Sequence, residues 1–104
     1  MSKESVFEAV RTANELRVAP ARIGGCARIY VTLGGKPSKD LVKHIEASCK
    51  RLNLIFQRKA YYGLTNAIYI GYDNADGRAL AKGEAFAAEL TRRGIQAYVE
   101  GCAD

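Results

Sequence analysis

A chain of 104 residues, 48% hydrophobic and 26% charged, describes one compact domain that buries roughly two-thirds of its unfolded surface, which leaves no room for a second. No basic, apolar leader is present and no apolar run nears the roughly 20 residues that cross a bilayer, so a cytoplasmic protein without membrane contact is expected. Sixteen Lys and Arg against 11 Asp and Glu give a formal charge of +5, a bias toward polyanions or acidic protein patches, while three cysteines without a CxxC pair and a single histidine indicate neither a zinc site nor a disulfide framework.

Residues 5–17 (SVFEAVRTANELR) place Val6, Phe7, Val10, Ala13 and Leu16 at helical spacing with charges between, which predicts an amphipathic helix. Residues 18–25 (VAPARIGG) break both regular patterns with Pro20 and the pair Gly24 and Gly25, and read as a linker. Ile29, Val31 and Leu33 then alternate with Arg28, Tyr30 and Thr32, as in a strand with one face in the core.

The strand stops at Gly34 and Gly35, followed by Lys36, Pro37 and Ser38. A Walker-type phosphate cradle needs GxxxxGK and then Ser or Thr, whereas GGKPS lacks that spacing and Pro37 has no amide hydrogen. The stretch reads as a strand-to-helix turn with Ser38 as cap, and Lys36, Ser38 and Lys39 are retained as a candidate anion-binding group.

Leu41, Ile45, Ser48, Cys49 and Leu52 form the stripe of a first core helix. Residues 54–62 (LIFQRKAYY) and 67–72 (AIYIGY) are predicted strands joined by a hairpin turn at 63–66 (GLTN). Residues 73–77 (DNADG) open a second core helix carrying Leu80, Gly83, Phe86, Ala87 and Leu90, which ends at Arg92, Arg93 and Gly94. Gly83 costs helix propensity, so close approach of this helix to the sheet is expected there. Residues 95–101 (IQAYVEG) supply the last strand.

After the first helix the order is βαββαβ. It resembles, in topology and over residues 26–104, the split βαβ or ferredoxin-like arrangement, which implies an α+β fold with antiparallel strand order 4-1-3-2 and both helices on one face. The chain is thus read as a single domain: N-terminal helix about 5–17, linker 18–25, ferredoxin-like core 26–104. Function does not follow from this architecture alone.

His44 has no second ligand nearby, and Cys49, five residues on, leaves the helix in another direction, so no Cys–His nucleophile is expected. The carboxylates are scattered. Catalysis, a metal and a cofactor are therefore not expected.

The strand faces say more. Opposite Ile29, Val31 and Leu33 lie Arg28, Tyr30 and Thr32. Parity places Ile68, Ile70 and Tyr72 inward and Ala67, Tyr69 and Gly71 outward, then Ala97 and Val99 inward and Gln96, Tyr98 and Glu100 outward. In the second strand Leu54, Phe56 and Ala60 are read as buried, with Gln57, Lys59 and Tyr61 outward and Arg58 misplaced near the edge. Order 4-1-3-2 then aligns Tyr98, Tyr30, Tyr69 and Tyr61 as an aromatic row flanked by Arg28 and Lys59.

That row resembles, in arrangement only, the base-stacking sheet of the RNA recognition motif, whose basic-Gly-aromatic pattern AIYIGYDN does not supply. The expectation is a small non-enzymatic protein that binds single-stranded nucleic acid. The alternative is a protein-docking adaptor or inhibitor of phage or mobile-element type, such as an anti-CRISPR or other anti-defence protein, that meets an acidic surface of a host complex. Two structural uses of the same face stay open: cover by the N-terminal helix, or sheet-to-sheet packing in a homodimer. Tyr30 opposite Tyr98 would also set Cys26 opposite Cys102, within disulfide reach.

Overall fold

The computed structural model describes residues 1–20, 26–60, 63–74 and 76–103. They form α1 (Lys3–Glu15), β1 (Cys26–Leu33), α2 (Lys39–Arg51), β2 (Ile55–Lys59), β3 (Thr65–Asn74), α3 (Arg78–Arg92) and β4 (Ala97–Ala103). The four strands make one antiparallel sheet in the order β2-β3-β1-β4. Residues 21–25 of the expected linker lie outside the described residues.

Local chemistry sets the helix ends. Ser2 caps α1, its Oγ accepting from the Ser5 amide at 3.1 Å, so the helix starts two residues before the position predicted. Ser38 caps α2 in the same way, accepting from the Leu41 amide at 3.1 Å. The start of α3 is built differently. Gly77 occupies the cap position with φ +72°, and the carboxylate of Asp73, at the end of β3, accepts from the amides of Gly77 (2.9 Å) and Leu80 (3.1 Å). Asp73 is buried, and these two bonds tie the first turn of α3 to the sheet.

The helices α2 and α3 cover one face, called inner below. Val42, Ile45 and Cys49 of α2 join Phe86, Ala87 and Leu90 of α3 in one cluster with Val31, Leu33 and Ile68. Gly83 lets α3 come close: a β-carbon there would stand 2.8 Å from Ile29 Cγ2 and 2.9 Å from Val99 Cγ2. The expected close approach is therefore present.

Helix α1 packs against α2 and α3, and buries Val6, Ala9, Val10 and Ala13 in the same cluster. The Arg51 guanidinium lies 3.7 Å from the centre of the Phe7 ring, and Arg93 donates to Thr12 Oγ1 at 3.3 Å. Its place on the helical side means that α1 does not cover the tyrosine face, one of the two structural uses considered for it.

Strict alternation fails in β3. The register runs Tyr30 to Tyr69 and then Ile29 to Gly71, so Ile70 is the extra residue of a bulge. Ile70 and Gly71 both face α3, where a β-carbon on Gly71 would meet Ala79 Cβ at 3.6 Å. Beyond the bulge the parity is reversed: Asp73 turns inward to cap α3, and Tyr72, expected inside, turns outward and is 40% exposed.

Candidate functional site

On the outer face the cross-strand pairs put residues into rows. Ile55, Tyr69, Tyr30 and Glu100 form one row, while Gln57, Ala67, Thr32 and Tyr98 form the next. On the other side Tyr72, Arg28 and Cys102 lie side by side. The expected row of four tyrosines is thus not formed. Tyr98 sits opposite Thr32, Tyr30 opposite Glu100, and Tyr61 lies outside the described residues.

The cause is a β4 register two residues away from the expected one. A shift of two keeps every side chain on its face, so alternation does not distinguish the two registers. The same shift places Arg28, and not Cys26, opposite Cys102, which removes the register argument for a Cys26–Cys102 bond on oxidation. Cys102 carries a free thiol, pushed up by burial and by the nearby Glu100.

Tyr30 is the centre of a small second core. It is 3% exposed and clusters with Ala67 and Cys102, with Tyr69, Ala60 and Leu64 packed against them. The Tyr30 and Tyr69 rings are 5.4 Å apart and tilted by 60°, a usual aromatic pair geometry. Ala60 donates its amide to the Leu64 carbonyl at 2.8 Å, which continues the β2–β3 ladder by one pair beyond Lys59 and Thr65. Ala60, expected on the inner face, therefore serves the outer one.

Around this plug large apolar side chains stand open. Ile55 is 57% exposed, Tyr98 55% and Tyr72 40%. The Tyr98 ring lies over Gly34, in space that a β-carbon there would occupy, and the Gln96 side chain lies over Gly35, whose φ is +64°. The paired glycines after β1 thus make a turn beneath two β4 side chains. The Ser38 hydroxyl is engaged in capping α2, and Lys36 and Lys39 are exposed beside it.

The charges on the outer face, among the described strand residues, are Arg28, Lys59 and Glu100. More exposed cations stand on and before α2, at Lys36, Lys39, Lys43, Lys50 and Arg51. Arg58, the residue the strand parity misplaced, points to the helical side and meets Glu46 of α2 at 2.9 Å, which holds the Glu46 carboxyl below its ordinary range. On that side the Cys49 thiol is pushed up to about 12 by burial, and so remains a neutral core group. His44 is half-buried.

Among the described residues no three His, Cys, Asp or Glu side chains converge on a metal position. No helix among them is long and apolar enough to cross a membrane. Compared with protein-family models, curated proteins and solved structures, the chain matches none.

Proposed function

We propose that β1, α2, β2, β3, α3 and β4 form a ferredoxin-like unit extended by α1, and that it acts as a protein-docking module through its outer face, as an adaptor or inhibitor of the phage or mobile-element kind. The observation that carries this reading is the open group Ile55, Tyr72 and Tyr98 on a sheet face without a helix. Tyrosine and arginine are enriched in protein interfaces, and the half-buried Arg28 lies beside the exposed Tyr72. The sparse charge of this face favours a protein over a polyanion, since nucleic-acid affinity depends on neutralising several phosphates.

A second reading, single-stranded nucleic acid, is favoured by one feature, the exposed Tyr72 ring beside Arg28, which suits a base stacked above a guanidinium. The tagged protein used as bait in cell lysate, with and without nuclease, separates the two. Capture that survives nuclease and is lost in Ile55→Asp supports protein docking. Capture abolished by nuclease transfers the function to the second reading, and nuclease-resistant capture that is equal for parent and variant contradicts docking through the outer face.

A further inference from the structure

The two edges of the sheet differ. β2 is five residues long and carries Arg58 and Lys59, with Arg58 tied to α2; such charges keep an edge from pairing with another chain. β4, the other edge, is seven residues long and reads AYVEGCA, without lysine, arginine or proline.

The Gly34 amide donates to the Gln96 carbonyl at 3.0 Å, which fixes the phase of the ladder. Tyr98, Glu100 and Cys102 direct their backbone groups at β1, and Ala97, Val99 and Gly101 direct theirs away from it. Thr91 Oγ1 reaches the outward carbonyl of Ala97 over 3.4 Å, in agreement with that phase. Above this edge runs a groove of about 630 Å³ between Ala87, Ala88 and Thr91 of α3 and Ala97 and Val99 of β4.

The ends of that groove carry opposite charges on one helix face: Glu84 lies four residues before Ala88 and Arg92 four after. In an antiparallel pair of α3 helices about a two-fold axis at Ala88, Glu84 of each copy meets Arg92 of the other. Arg92 bonds Glu89 at 2.6 Å, but Arg93 bonds the same carboxylate at 2.6 Å, so Arg92 can turn to a new partner while Glu89 keeps its own. The same operation, centred at Val99, sets Ala97 opposite Gly101 of the second copy and joins the outward backbone groups of both edges.

From the edge position of β4, whose outward Ala97 carbonyl keeps one lone pair beside its bond from Thr91, the groove of small side chains and this self-complementary charge pattern, we infer that β4 and α3 form the interface of a homodimer with a continuous sheet across it. This is an edge-to-edge contact and leaves the outer face open.

The test is sedimentation equilibrium of the full chain from micromolar to millimolar concentration, with circular dichroism to confirm folding. The parent should associate to twice the chain mass. Glu84→Arg and Arg92→Glu should each weaken association about tenfold or more, and the double exchange should restore it. Ala88→Arg, at an exposed position on the axis, should give monomers even if a charge variant folds poorly. Ile55→Asp, on the opposite edge, should dimerise like the parent, which separates this interface from outer-face docking. A parent that stays monomeric, single variants that associate unchanged, or a double exchange no better than its parts would overturn the inference.

Discussion

On the inner face Ile29, Val31 and Ile68 are closed off by α2 and α3, while on the outer face closure is confined to the centre, where Tyr30 and Ala67 are as deeply buried without any helix above them. Ala60, Leu64 and Tyr69 pack against that centre, while Ile55, Tyr72 and Tyr98 are exposed. The difference separates two uses of apolar residues on one sheet. Those sealed on either face hold the fold, and those outside the seal form the exposed surface on which the docking proposal rests.

The largest expected effect comes from emptying either core. Phe86→Ala should cost about 3–5 kcal/mol, and Tyr30→Ala about 3 kcal/mol, although the tyrosine lies on the face without helices. Denaturant unfolding measures both, and a Tyr30→Ala loss under about 1 kcal/mol would break the comparison by showing that the outer centre is not sealed.

Gly83→Leu comes next, at roughly 1–3 kcal/mol, because the new side chain meets Ile29 and Val99 where α3 touches the sheet. A variant as stable as the parent would mean that α3 stands off the inner face. Asp73→Ala should cost about 1–2 kcal/mol through the two lost amide bonds at the start of α3. Amide exchange at Gly77 and Leu80 should rise in that variant before exchange at Leu90 does, and uniform protection would argue against the capping role.

Much of this comparison was legible in the residues. Alternation along β1 placed Ile29, Val31 and Leu33 against the helices, Ser38 signalled the start of α2, and Gly83 marked the close contact. What escaped depended on geometry between elements. The two-residue register of β4 is invisible to alternation. The bulge at Ile70 exchanged the faces of Tyr72 and Asp73, and its one sequence signal was Gly71, since a glycine within a strand often marks a bulge or a close approach. The burial of Tyr30 goes with Ala60, Leu64 and Tyr69 packed against its cluster, contacts between strands that no periodicity announces.

The most direct test of the central claim compares one change on each side of the molecule in the same capture experiment. Ile55→Asp alters an exposed outer-face position and should leave stability within about 0.5 kcal/mol of the parent. Lys43→Glu, on the exposed surface of α2, should also fold normally and serves as the control. Quantified against the parent, capture of the partner should be lost in Ile55→Asp and kept in Lys43→Glu. Capture kept in Ile55→Asp and lost in Lys43→Glu would contradict the account and move the docking surface to the basic side of α2.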